Sequence, residues 1–404
     1  MRLLPLLTCA GFLTVPLLGC SDGSTGPEGH RIVTNFEGAR LAAFAERSEG
    51  NLDLILGRDA DGFIRGWYSF RVRGSRGQPL NFRWLNQTAN PDQRPVVSSD
   101  GGETWERVDE MADVGGLQAF HHTPRSDDEW VAYQPVYSMT RWRDRLGEME
   151  EHPFVTRVRV LTRSLGGRAV HHLEITDPGS PEEEKALVWL VGRQHPAETG
   201  GSWMLEGLMD WLLSDDPQAR MLLQRAAFQI IPILNPDGVV RGDHRTNLMG
   251  LDLNRAWLSP HPERTPTIHA ATQAMLASAE GDRPIVLLAD FQTTGTGTSQ
   301  ILHNSAETTS PELYQEMQEF IALMEEINPE WSLSSSSGAA MGPERARGWG
   351  YFALNTHGMT AMAGSQAPTY GPHAGEFMTV PRTKALGEAF GKAVAQFFFD
   401  VPPS

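Results

Sequence analysis

The segment Gln194-His195-Pro196-Ala197-Glu198 limits what this chain can fold into more than any other. It is entered from Ala186-Leu187-Val188-Trp189-Leu190-Val191, an unbroken apolar run that reads as a buried strand. Just past that strand an imidazole and a carboxylate stand three residues apart, the chemistry and spacing of two ligands in a His2Glu catalytic zinc site. Such a site needs a third ligand and a base, so the fold must bring distant segments to the end of this strand.

The rest of the chain supplies two contrasting rhythms. From Ile32 to about Thr156 short alternating segments are broken by Gly, Asn, Asp and Pro. Strands are expected at Gly66 to Arg73, Leu80 to Leu85 and Pro95 to Ser98, with a turn at Ser99 to Gly102. That spacing predicts an antiparallel β-sandwich over 32–155. Beyond Val155 strands alternate with helical patterns, as an α/β domain over 156–401 requires. Strands are expected at Ala186 to Val191, Phe228 to Leu234 and Ile285 to Ala289, and helices at Gly201 to Leu213, Leu313 to Ile327 and Lys384 to Phe399. Ser332 to Gly338 reads as an exposed loop.

The first residues are of another kind. Arg2 precedes an apolar stretch interrupted by Pro5 and Pro16, too short for a spanning helix, which reads as a cleaved export signal over 1–19. Leu17-Leu18-Gly19-Cys20 resembles a bacterial lipobox, which implies lipid on Cys20, a tether over 20–31 and attachment to a membrane of the bacterial envelope, periplasmic or outer. Cys9 leaves with the signal, so the mature chain has no thiol pair for a disulfide. The formal charge of −16 becomes one unit more negative when Arg2 is removed, which argues against nucleic acid or an anionic lipid surface as a partner. No feature of the sequence sets an oligomeric state.

Downstream of the His195/Glu198 pair come Asn235-Pro236-Asp237-Gly238, read as a turn closing a buried strand, then Gly242-Asp243-His244-Arg245 and Gly250-Leu251-Asp252-Leu253-Asn254-Arg255. One guanidinium can clamp a carboxylate in bidentate fashion and a second can stabilise an oxyanion, and an exopeptidase working at a C-terminus needs both. Arg241 reads as solvated surface.

This motif series resembles the zinc carboxypeptidase family and is similar to its cytosolic carboxypeptidase branch. Trp67 to Val72, Arg94 to Val97, Gly101 to Trp105 and Tyr133 to Ser138 resemble the β-sandwich preceding the catalytic domain in that branch, and Ser164 to Gly167 resembles its linking strand. The resemblance implies an N-terminal antiparallel β-sandwich followed by a mixed-sheet α/β/α carboxypeptidase-like domain. It implies one zinc ion held by His195 and Glu198, an oxyanion role for Arg245, and Asn254 and Arg255 on the terminal carboxylate of a peptide or protein substrate.

The chain departs from the family in two places. Where the third ligand, a histidine, is expected, Leu287-Leu288-Ala289-Asp290-Phe291 leads to Gln292, a neutral amide and a poor zinc ligand. His303 belongs to a neighbouring segment. The family's catalytic glutamate, in a setting such as Thr-Leu-Glu, matches a stretch from Gly358 to Gln366 without a carboxylate, its critical place falling at Gly364, Ser365 or Gln366. Glu376 is the nearest acid downstream and the candidate replacement base. Three expectations follow: a weakened metallocarboxypeptidase using Arg245 and Glu376, an inactive relative that binds peptide C-termini, or a structural envelope lipoprotein.

Overall fold

A computed structural model describes residues 31–88, 93–295, 297–303, 309–331, 356–364 and 376–404. The export signal, Cys20 and Ser332 to Gly338 lie outside them. Two five-stranded sheets form the first domain. One runs β1 (Arg31–Val33), β4 (Ser69–Arg73), β10 (Asp128–Ala132), β6 (Val96–Ser98) and β7 (Glu106–Arg107). The other runs β2 (Ala43–Ser48), β3 (Asn51–Ile55), β5 (Leu80–Thr88), β9 (Leu117–His122) and β8 (Met111–Val114). Alternating residues such as Leu52 and Leu54, Phe70 and Val72, and Phe82 and Trp84 turn inward and fill the space between the sheets. Pairing is antiparallel except for β3 with β5.

The second domain is built on a seven-stranded mixed sheet. Its order is β11 (Val155–Arg163), β12 (Ala169–Ile175), β14 (Ala226–Ile231), β13 (Ala186–Gly192), β15 (Ile285–Thr294), β17 (Gly358–Gly364) and β16 (Gln300–His303). The parallel centre is β14-β13-β15-β17. In β13, Val188 and Leu190 face one core while Leu187, Trp189 and Val191 face the other, so the apolar run is a strand covered on both sides. The first face carries α1 (Met139–Met149), α2 (Thr199–Leu212), α3 (Pro217–Leu223), α6 (Pro311–Ile327) and α7 (Val380–Phe399). The second carries α5 (Pro266–Ala279), with Leu253 and Trp257. Among the described residues no helix is long and apolar enough to cross a membrane.

Two local expectations are corrected. Asn235-Pro236-Asp237-Gly238 is the start of helix α4 (Pro236–Arg241), not a β-turn: the Asn235 side chain accepts from Gly238 N at 3.1 Å, proline occupies the first turn, and Gly242 at φ 68° closes the helix in the left-handed region. Ser164 to Gly167 is the turn of the β11-β12 hairpin and not a strand. Asp237, in the first turn of α4, holds it by accepting from Ser164 Oγ and Gly166 N, each at 2.8 Å.

Helix α2 is seated directly on the sheet. A Cβ on Gly201 would stand 2.3 Å from the Phe291 carbonyl oxygen and 3.0 Å from Gln292 N, so only glycine allows the helix to lie this close to β15.

Candidate functional site: the end of strand β13

Past Gly192 the chain turns through Arg193, a buried residue at φ 55°. That conformation is costly for a non-glycine residue, on the order of 1–2 kcal/mol, and three hydrogen bonds hold it. Arg193 donates from Nε to the Pro196 carbonyl at 2.8 Å and from Nη1 to the Tyr137 carbonyl and Ser202 Oγ, each at 3.0 Å. Burial lowers its guanidinium to about 9. On the sandwich side Trp67, Val96, Ala132 and Val136 pack with Ala197. The loop carrying the pair is therefore fixed from both domains.

His195 is buried between two carboxylates. Its Nδ1 lies 2.7 Å from Glu198 Oε1 and its Nε2 lies 3.0 Å from Asp252 Oδ1. Burial opposes the charged imidazole, but the Glu198 charge and the hydrogen bonds to Asp252 and Glu198 prevail and raise it to about 9. Asp252 shifts the other way. Burial opposes that shift too, yet His195 and Arg245 hold its carboxyl well below the usual range. Its second oxygen accepts from Arg245 Nε at 2.8 Å, and Asn254 N donates to the first at 2.9 Å. Asp252 thus joins the metal-ligand candidate His195, the oxyanion candidate Arg245 and the backbone that leads to Asn254 and Arg255.

The carboxylate-clamp candidates sit where the chain leaves this cluster. Arg255 is exposed and donates from Nη1 to the Asn254 carbonyl at 2.9 Å, while the Arg245 side chain is 31% exposed. Both guanidiniums are open to a ligand approaching from solvent. Arg241 pairs with the buried Asp243 at 3.5 Å.

Beneath the pair runs a second polar network. Gln194 Oε1 accepts from Trp257 Nε1 and Gln194 Nε2 donates to Asp290 Oδ2, both at 2.7 Å. Gln292 Nε2 donates to the same Asp290 oxygen. Burial raises the Asp290 carboxyl to about 7, the hydrogen bonds from Gln194 and Gln292 opposing it. Strand β15 extends through Thr294, so Gln292 lies on the strand itself. Its partner in the parallel register of β17 is Met362. Residues on either side of both, Phe291 on β15 and Ala361 and Ala363 on β17, face the α2 core, so Gln292 and Met362 share the opposite face with Leu288.

Two of the donors suit a zinc ion. His195 offers Nδ1, and Glu198 Oε2 is buried with no hydrogen-bond partner. The set as a whole does not. Gln292 brings an amide already tied to Asp290, and among the described residues no three His, Cys, Asp or Glu side chains lie close enough to hold a metal ion. His303 lies on β16 beside α6, its Nε2 2.7 Å from Gln318 Nε2. Glu376, just ahead of α7, is 63% exposed and pairs with Arg382 at 3.5 Å, a surface ion pair where a buried base was sought. Gly364 ends β17, and Ser365 and Gln366 lie outside the described residues.

The sequence reading missed Asp252, Asp290, Arg193 and Asp59. Asp59 comes from the sandwich: its carboxylate accepts from the backbone N–H groups of His244 and Arg245, each at 2.8 Å. Asp252 and Asp290 had a local signal, the first standing two residues before Asn254 and the second two before Gln292.

Comparison with known proteins agrees with this architecture. Residues 139–343 match the zinc carboxypeptidase family and residues 32–134 match the cytosolic carboxypeptidase N-terminal domain. An uncharacterised protein of Zymomonas mobilis is 32% identical over 281 residues, 65% of this chain and 70% of its own length. Human cytosolic carboxypeptidase 6 is 31% identical over 271 residues, 62% of this chain and 54% of its own length, so the chain spans about half of that relative. The crystal structure of a metallo-carboxypeptidase from Burkholderia cenocepacia superposes with a TM-score of 0.80 at 26% identity, covering 90% of this chain and 97% of that one. The chain belongs to the zinc carboxypeptidase family and carries, ahead of its peptidase domain, the N-terminal domain of the cytosolic carboxypeptidases.

Proposed function

We propose that this protein is a catalytically silent carboxypeptidase that binds the C-termini of peptides or proteins, exported and tethered to the bacterial envelope through lipid on Cys20. One observation carries the reading: Gln292, which stands where the resemblance expects the third metal ligand, has a methionine as its register partner. The family's Thr-Leu-Glu setting fits Thr360-Ala361-Met362, two positions ahead of the place judged from sequence. On that alignment one face of two adjacent strands has lost both an imidazole and a carboxylate. Loss of a general base alone costs roughly a hundredfold to ten-thousandfold in rate, about 3–5 kcal/mol. His195 and Glu198 would hold a zinc ion only weakly, since Gln292 offers at most a neutral amide as third donor.

The binding parts have been kept. Arg255 donates to the Asn254 carbonyl, and Asp252 accepts from Asn254 N on one oxygen and from Arg245 Nε on the other. A terminal carboxylate held by Asn254 and Arg255 makes charge-assisted hydrogen bonds that a terminal amide cannot reproduce.

The test compares labelled random-sequence peptides having a free C-terminus with the same peptides amidated, on full-length protein. The reading expects at least tenfold tighter binding of the acids, substoichiometric zinc after dialysis, and no zinc-dependent release of terminal residues. Equal binding of acid and amide ends the binding claim, and zinc-dependent release ends the claim of silence.

The intact His195/Glu198 pair favours a second reading, a slow metallocarboxypeptidase, and the release assay separates the two.

A further inference from the structure

We propose that the sandwich domain supplies a positioning residue, Asp59, to the carboxylate clamp, so that the clamp belongs to both domains jointly. The inference rests on the binding reading given above. Asp59 lies between β3 and β4 and is buried at 7% exposure. Its Oδ1 accepts from His244 N at 2.8 Å, and its Oδ2 accepts from Arg245 N at 2.8 Å and Thr246 N at 3.4 Å. Three consecutive N–H groups converging on one anion form a rigid backbone nest. Here the anion belongs to another domain. Arg65 fixes it in turn, donating from Nη1 to Asp59 Oδ2 at 3.0 Å and to Asp61 Oδ1 at 2.8 Å.

A second anchor lies further along the same loop. Gly250, at φ 72°, approaches so closely that a Cβ there would stand 3.0 Å from both N and Cα of Asp61. Between the anchors the loop is closed on itself by a bridge between Thr246 and Asp252 and by Asn247 N donating to the Leu251 carbonyl at 3.0 Å. Arg245 leaves this frame directly above Asp59, and Asp252, Asn254 and Arg255 follow its far end. The backbone of Arg245 is set by the sandwich and its guanidinium by Asp252. Because Arg245 donates to one oxygen of Asp252 and Asn254 N to the other, a shift of the Arg245 backbone is passed on to Asn254 and Arg255, and a bidentate pair tolerates little displacement.

The experiment uses full-length protein with Asp59→Ala, Asp59→Asn and, as control, Asp53→Asn, which removes a sandwich ion pair with Arg83. Binding of labelled random-sequence peptide acids and their amides is measured beside hydrogen exchange at the 244–246 amides. Asp59→Ala is expected to lower the acid-over-amide preference at least tenfold with amide binding unchanged, and to speed exchange at 244–246 at least tenfold. Asp59→Asn, which keeps an acceptor oxygen, recovers part of both, and Asp53→Asn changes neither. An unaltered acid-over-amide ratio in Asp59→Ala overturns the proposal. If the unsubstituted protein shows no acid preference, the binding reading has failed. The clamp claim falls with it, and the exchange arm then shows only whether Asp59 holds the 244–246 backbone. Should Asp59→Ala not fold, Asp59→Asn and Gly250→Ala carry the same comparison.

Discussion

Replacing glycine by alanine at two helical positions is expected to change stability in opposite directions. At Gly147, on the exposed face of α1, a Cβ meets nothing within 4 Å. Alanine there reduces the freedom of the unfolded chain and improves helix propensity, a gain of up to about 1 kcal/mol. At Gly201 the same methyl group stands 2.3 Å from the Phe291 carbonyl oxygen and 2.7 Å from its carbon. Cβ atoms essentially never approach closer than 3.0 Å, so α2 must withdraw from β15 by at least about 0.7 Å at its first turn. Overpacking of this kind costs about 1–3 kcal/mol and outweighs the propensity gain, which is smaller at a helix end. The pair should therefore differ by roughly 2–3 kcal/mol, or several degrees in Tm for a chain of this size. Thermal and urea unfolding of both variants, read by tryptophan fluorescence, make the comparison. If Gly201→Ala gains stability as Gly147→Ala does, α2 is not seated on the strand backbone as described. The withdrawal also carries Glu198, the residue preceding α2, away from Gln292, so residual zinc binding should weaken together with Tm.

Three further outcomes are expected. His172 is buried, accepts from Arg159 Nε at Nδ1 (3.0 Å) and lies 2.8 Å from Gln229 Oε1 through Nε2, and burial followed by the nearby Arg159 charge lowers it to about 4. The unfolded chain takes up this proton near pH 6.5 and the folded chain only near 4, so stability falls as pH drops through that window; between pH 7.5 and 5 the protein should lose about 2 kcal/mol more than His172→Gln, as equilibrium unfolding at the two pH values would register. Asn235→Ala removes the cap of α4 and the donor shared by the Gln194 and Thr246 carbonyls, at 3.3 and 3.1 Å, and should cost about 2–3 kcal/mol in urea unfolding. Gln292→His restores an imidazole on β15 and should tighten zinc at least roughly tenfold in competition with a chelating dye; an unchanged affinity removes residue 292 from the third-ligand position.

Chemistry close together in sequence was legible, and chemistry assembled across the fold was not. Ala186 to Val191 had to be buried whatever surrounded it, and His195 and Glu198 necessarily followed it. The run Phe228 to Leu234 was found for the same reason, although the strand begins at Ala226 and ends at Ile231. Asn235-Pro236-Asp237-Gly238 was misread because its composition suits a turn and a helix start equally. Asparagine followed by proline is a capping signal, and the six-residue helix behind it was too short to show a period. Asp59 could not be found from sequence, since an isolated aspartate in a loop between strands gives no indication that it accepts from backbone 185 residues later. Nor could the pairing of Gln292 with Met362, because parallel neighbours have no fixed sequence separation and their register is set by packing against both layers.

That pairing imposes an order on evolutionary reversal. A glutamate at position 362 by itself would add a carboxylate to a half-buried position beside Gln292, whose amide is already given to Asp290. A histidine at position 292 carries no such penalty, because a neutral imidazole can take over the hydrogen bond to Asp290. If the protein is silent as proposed, a path back to hydrolysis opens more easily from the β15 side. On the proposed reading, selection for stability opposes the second step until the first has occurred.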